Sequence, residues 1–193
     1  MIYVKRVFIV HGWGGSPAEA WFPWLKSELE KQVFKAEALK MPDPSYPQIE
    51  TWVSFLSDSV GTADKDTYFV GGSIGCQTIL RYLEGVDAKV GGIVLVAGWF
   101  DLLPAAYTTE EDREIAKPWI ETSIDFKKVK SNVKSIVSIF SDNDPFVDLK
   151  EAERFKKNLG AKIIVEKGKG HFAPEDNINE LPVVLEELLK MSK

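Results

Sequence analysis

The 193-residue chain has one cysteine, Cys76, and two histidines, His11 and His171. A lone cysteine excludes an internal disulfide and any zinc site built on paired thiolates. With so few histidines, an imidazole acting as a general base is one of those two. Long apolar runs are also missing. The longest, "GGIVLVAGWF" among them, are of strand length, well short of the ~20 residues a spanning helix needs, so no membrane partner is expected. No run of Lys or Arg exceeds two residues and the formal net charge is −5, which argues against a polyanion surface and hence against nucleic acid. The opening "MIYVKRVFIVHGWGG" joins basic residues to a short apolar run. That run ends in His-Gly-Trp-Gly-Gly where a signal peptide would have a small-residue cleavage site, so it reads as a strand, and the cytoplasm is the default location.

What is present is a globular composition, with 45% apolar and 27% charged residues, suited to one domain spanning 1–193 with a sizeable core. Strand-like apolar runs fall at 4–10, 34–40, 67–72, 90–98, 135–141 and 162–167. Helical periodicity falls between them at 18–32, 47–60, 74–84, 109–123, 148–158 and 177–191. Alternation of this kind builds βαβ units, and the near-continuous apolar runs at 67–72 and 90–98 suit a sheet covered on both faces. The expected fold class is α/β, a three-layer doubly wound sandwich on a mostly parallel sheet of about six strands, without a cap domain. Ligands of such sheets bind at the carboxyl ends of the strands.

The residues at those ends carry chemistry. His11-Gly12-Trp13-Gly14-Gly15 follows the first strand, Ser73 the third, Asp101 the fourth, Asp142 and Asp144 the fifth, and His171 the sixth. Gly71-Gly72-Ser73-Ile74-Gly75 fits Gly-x-Ser-x-Gly, in which a serine on a sharp strand-to-helix turn is exposed as a nucleophile. The flanking glycines are needed because strand and helix approach closely there, and the helix N-terminus faces the negative charge that forms. His171, in a Gly-rich loop, is the candidate base: an imidazole titrating near neutrality takes the serine proton and returns it to a leaving group. Among the acids Asp144 is favoured, lying deeper in its loop with Pro145 and Val147 behind it. Asp142 suits a turn residue better, and Asp101 stays open as an alternative. The backbone N–H groups of Trp13 and Ile74 are the candidate oxyanion donors. His11 is expected to hold its loop by hydrogen bonding, and Cys76 to be buried.

The stretches "VFIVHGWGG", "FVGGSIGC", "GGIVLVAGWF", "SDNDPFV" and "GKGHF" run from the first strand to the last loop. In them the chain resembles the α/β-hydrolase superfamily and, within it, the small capless serine hydrolases of the retinoblastoma-binding protein 9/YdeN-like family. The resemblance implies Ser73, Asp144 and His171 as a catalytic triad. It departs from many relatives at Gly72, where they carry His or Asn before the nucleophile. The only insertion with room for a lid is 99–127. Its Trp99, Phe100, Tyr107 and Trp119, with Trp13, Phe146 and Phe172 beside the candidate site, are the expected walls of a substrate pocket. The expected activity is hydrolysis of small carboxylic esters through an acyl-enzyme, with no metal or organic cofactor, by a monomer or homodimer. An amide or peptide-end hydrolase is the alternative on the same triad. A further alternative is an interaction module on the same fold that dispenses with catalysis. Pocket-protein binding through Leu-x-Cys-x-Glu is not available to it, because the sole cysteine lies in "SIGCQT".

Overall fold

Six short strands, β1 (Arg6–Val10), β2 (Lys35–Leu39), β3 (Thr67–Gly72), β4 (Gly92–Val96), β5 (Ile136–Ser141) and β6 (Lys162–Glu166), form one sheet. Their order is β2-β1-β3-β4-β5-β6 and every neighbouring pair is parallel. This computed structural model describes residues 4–32 and 34–193; Met1–Tyr3 of the amino-terminal stretch and Val33 lie outside the described residues. The central strands β3 and β4 are buried along their whole length, as their unbroken apolar runs require, whereas the edge strand β2 exposes Lys35 and Glu37.

Helices cover both faces. On one face α1 (Phe22–Lys31) and α7 (Pro182–Met191) bury Phe22, Leu25, Leu29, Val184 and Leu188 against Val70, Val94 and Ile139. On the other, α2 (Ile49–Val60), α3 (Ile74–Gly85), α5 (Phe126–Asn132) and α6 (Lys150–Leu159) close over Phe69, Leu95 and Phe140. The intervening α4 (Glu110–Glu121) is mostly exposed and is fastened by Ala116 and Trp119. Its start is a capping box in which Thr109 Oγ1 accepts the Asp112 N–H and the Asp112 carboxylate accepts the Thr109 N–H.

The six strands and their order along the chain agree with the periodicity, and the helix boundaries shift. Helix α1 begins at Phe22 instead of 18, and α7 at Pro182 instead of 177, each with proline in its first turn, where a missing N–H costs nothing. Helix α5 was not expected. It is short, buries Val129 alone, and so has no apolar stripe to reveal it; its one signal is Asp125, whose carboxylate caps the N–H groups of Lys127 and Lys128. The segment 99–127 folds as a 3-10 turn (Pro104–Ala106), helix α4 and the approach to α5.

The topology fixes one location. From β1 the chain runs outward to β2 and then returns across β1 to β3, so the carboxyl ends of β1 and β3 diverge in opposite directions and leave a crevice. At that point Ser73 turns β3 into α3 with φ 52° and ψ −122°, a left-handed conformation costing on the order of 1–3 kcal/mol. The turn is tight because α3 lies directly on the strands. A Cβ on Gly71 would sit 2.8 Å from the Cys76 nitrogen, and one on Gly75 would sit 2.5 Å from the Val10 carbonyl oxygen. Gly75→Ala is therefore expected to cost more than ~3 kcal/mol in urea unfolding or to prevent folding. Gly85→Ala, at the end of the same helix with open space around it, is expected to change stability by no more than about 1 kcal/mol.

Candidate active site

Ser73 stands at the end of β3 with its N–H donated to the Val96 carbonyl, 2.8 Å away, which ties the turn to β4. Its hydroxyl lies 3.0 Å from His171 Nε2. On the opposite side of the imidazole, Nδ1 lies 2.8 Å from Asp144 Oδ2. The other Asp144 oxygen accepts the N–H groups of Phe146 at 2.9 Å and Val147 at 3.1 Å. The Asp144 side chain is 3% exposed and that of His171 14%, so the carboxylate meets the imidazole out of bulk water, where an ion pair is strongest. The structure thus brings Ser73, His171 and Asp144 into one hydrogen-bonded line. It does not bring the other two acids there. Asp142 is exposed and accepts the Gly168 N–H, and Asp101 is exposed with its carboxylate on the Leu102 N–H.

A family model described as serine hydrolase matches residues 7–190. The chain belongs to the serine hydrolase family. YdeN of Bacillus subtilis (strain 168) is 32% identical over 186 residues, covering 95% of this chain and 94% of that protein. The crystal structure of the ydeN gene product superposes with a TM-score of 0.89 over 97% of this chain and 98% of that one. The serine hydrolase RBBP9 of Rattus norvegicus is 28% identical, covering 96% and 95% of the two chains. Est1E from Butyrivibrio proteoclasticus, at 14% identity, shares the fold with a TM-score of 0.71 over 97% of this chain and 88% of its own. The fold is that of the α/β-hydrolases.

Ser141 and Asn143, which the sequence did not single out, join Asp142 in holding two loops of this serine hydrolase together. Ser141 Oγ accepts the Lys169 N–H at 3.0 Å, Asp142 Oδ1 accepts the Gly168 N–H at 2.8 Å, and Asn143 Oδ1 accepts the Gly170 N–H at 2.9 Å. Three successive side chains of the loop after β5 therefore grip three successive amides of the loop after β6. Asp142 turns to the Gly168 amide of the loop after β6 instead of capping its own turn. Asp176 completes the arrangement, its Oδ2 accepting the N–H groups of His171 at 2.8 Å and Ala173 at 3.0 Å. The signal available in the sequence was the density of Asn, Asp and Ser in "SDND", residues that bond backbone amides wherever chains turn.

Two cavities meet at Ser73. The inner one, about 90 Å³, is apolar and lies among Trp21, Phe22, Val96 and Phe172. The outer cleft, about 450 Å³, opens between Trp13, Trp99, Leu102 and Phe146, with Glu19, Asp112 and Glu175 also on its lining. Of the expected pocket walls, Trp13, Trp99, Phe146 and Phe172 line these spaces and three do not. Tyr107 lies outside them, its ring covered by the Arg113 guanidinium 4.5 Å from the centroid. Phe100 is stacked on Phe155 with ring centroids 4.3 Å apart, inside the core. Trp119 is buried edge-on to Trp52, its Nε1–H donated to the Pro47 carbonyl at 2.9 Å. Both are large apolar surfaces consumed in closing the core under 99–127. Trp21 and Phe22, at the head of α1, wall the inner cavity without any signal in the helical stretch 18–32 that marks them for it.

His11 is buried and fully bonded: Nδ1–H donates to the Gly12 carbonyl at 2.8 Å and Nε2 accepts the Met41 N–H at 3.1 Å. This requires the neutral ring, and burial lowers its pKa from 6.5. Cys76, in the first turn of α3, is wholly buried and burial pushes its thiol up, so it is no nucleophile at neutral pH. The consequence of the His11 shift has a definite sign. Below about pH 6.5 the unfolded chain takes up the His11 proton more readily than the folded one, so that stability is complete above 6.5 and declines as pH falls. Urea unfolding from pH 8 to 5 is expected to show this slope. His11→Gln, which keeps hydrogen-bonding groups but does not titrate, is expected to remove that part of it.

Proposed function

We propose that this serine hydrolase cleaves small carboxylic esters through Ser73, His171 and Asp144. The observation that carries the reading is the unbroken path from Ser73 Oγ to His171 Nε2, 3.0 Å, and from His171 Nδ1 to Asp144 Oδ2, 2.8 Å. Asp144, held by two backbone amides, requires Nδ1 to carry the imidazole proton and leaves the Nε2 lone pair for the serine. Ser73 gives that proton to His171 as Oγ attacks the ester carbonyl carbon, and the buried carboxylate stabilises the imidazolium. The oxyanion is received by the N–H groups of Trp13 and Ile74. Neither has a hydrogen-bond acceptor among the described residues, and Ile74 adds the N-terminus of α3. The alcohol leaves with the His171 proton, and water repeats the sequence on the acyl-enzyme.

The unequal cavities support a small substrate. A space of about 90 Å³ on one side of Ser73 accepts a short apolar group, and the larger cleft on the other accepts the remainder. Among the described residues three carboxylates and no lysine or arginine line that larger cleft, favouring neutral or cationic esters over anionic ones. Solved neighbours on this fold include carboxylesterases, among them CesB from Bacillus subtilis. Ser73→Ala is expected to abolish fluorophosphonate labelling and to lower turnover of p-nitrophenyl acetate by several orders of magnitude; labelling that survives the substitution would sink the reading. Asp144→Asn, which disturbs the tautomer and leaves the shape intact, is expected to lower kcat by roughly 10³–10⁴. Across a panel of p-nitrophenyl esters, short neutral acyl groups are expected to react fastest and a carboxylate-bearing hemisuccinate slowest.

A further inference from the structure

Ser73 Oγ has a third partner besides its own Cβ and His171. The indole Nε1 of Trp99 lies 3.3 Å from it and donates its hydrogen there. A hydroxyl oxygen has one donor and two lone pairs. With its hydrogen on His171 and one lone pair on Trp99, a single lone pair is left, and its direction is fixed.

The indole is held in place from several sides. Trp99 follows β4 through Ala97, which adopts φ 48°, a left-handed conformation that a non-glycine residue keeps only when its surroundings impose it. The Ala97 N–H is donated to the Ile139 carbonyl at 2.9 Å. Gly98 lies against Phe155 so closely that a Cβ there would fall 2.7 Å from the ring. The Trp99 carbonyl accepts Gln77 Nε2–H at 3.1 Å, and the next amide, Phe100 N–H, is donated to Glu151 Oε2 at 2.6 Å. Gln77 and Glu151 are both buried, and neither is explained by the hydrolytic mechanism alone. Together they set the turn that carries the indole to the serine.

We propose that the Trp99 indole N–H is a catalytic donor to Ser73 Oγ, a role that rests on the hydrolase reading above. As the Oγ–H bond breaks and its proton passes to His171 Nε2, negative charge rises on Oγ, and the bond from Trp99 becomes charge-assisted. When the remaining lone pair of Oγ forms the bond to the ester carbon, the carbonyl π pair moves to the oxyanion and the Trp99 bond relaxes. In deacylation water takes the place of the alcohol: its oxygen bonds the acyl carbon as one of its protons passes to His171 Nε2 and the carbonyl π pair moves to the oxyanion. Oγ departs from the tetrahedral intermediate with the electron pair of the C–O bond, collects the proton from His171, and is again stabilised by the indole. Trp99 therefore acts on the acylation and deacylation barriers alike, unlike a residue that only shapes the pocket.

The test replaces the indole at position 99 by 3-benzothienylalanine, which keeps the bicyclic shape and lacks the N–H, with Trp99→Phe as a second variant. On p-nitrophenyl acetate the burst rate constant and the steady-state rate constant are each expected to fall about tenfold in the benzothienyl protein. Burst amplitude and thermal unfolding midpoint are expected to stay unchanged, and Ser73 is still expected to label completely with fluorophosphonate, more slowly. Trp99→Phe is expected to show the same fall in both constants. Unchanged rate constants in the benzothienyl protein overturn the proposal, as does a loss confined to KM or to one of the two steps. If the unsubstituted protein does not label at Ser73, the hydrolase reading fails and this role with it. Labelling with equal rates in both proteins removes Trp99 alone.

Discussion

At the end of β3 three backbones approach more closely than side chains permit. Helix α3 begins against β1, with Gly75 over the Val10 carbonyl, and Gly71 of β3 faces the first turn of the same helix. This contact forces Ser73 into its left-handed conformation, and the lifted hydroxyl is a consequence of the packing. Much of the site follows from it. The helix N-terminus is directed at the serine, the β1 loop bearing Trp13 passes beside it, and β4 is near enough for Val96 to receive the Ser73 amide. Burying apolar strands on both faces supplies the free energy that holds so strained a residue, since neither face of β3 has any other place to go.

Electrostatic organisation is laid over this frame by loops. Asp144 is buried, yet its charge is met by two amides and an imidazole, so burial sharpens its action on His171 without leaving it unpaired. The other buried carboxylate nearby, Glu151, is pushed above its ordinary pKa by desolvation, opposed by the Phe100 amide and by Arg154. His11 is the opposite case. It is an imidazole at a strand end that the sequence assigns to holding its loop, and the fold keeps it neutral as a brace between the β1 loop and Met41. Position relative to the sheet edge does not distinguish the two histidines; the partners on their ring nitrogens do.

The strand order along the chain was legible because parallel strands buried on both faces leave unbroken apolar runs, and "TYFVGG" and "GIVLV" could be little else. The residues that meet at the sheet edge were legible too, since loops after parallel strands converge and Ser73, Asp144 and His171 sit in such loops. What stayed hidden depended on which way large side chains turn. Trp99 and Trp119 are both tryptophans of one segment, yet one indole reaches Ser73 and the other reaches Pro47. Nothing in their spacing separates them, because 99–127 has no regular periodicity until α4 begins. Trp21 and Phe22 were hidden for a related reason. They lie at the head of a proline-started helix, within the helical stretch 18–32 of the sequence, and line the inner cavity.

The grip of Ser141, Asp142 and Asn143 on Gly168–Gly170 makes the loops after β5 and β6 a single mechanical piece. Replacing one loop without the other would leave three amides and three side chains mismatched. Either loop can therefore shift only if the other shifts with it, and the separation of Asp144 from His171 is held by groups that belong to neither residue.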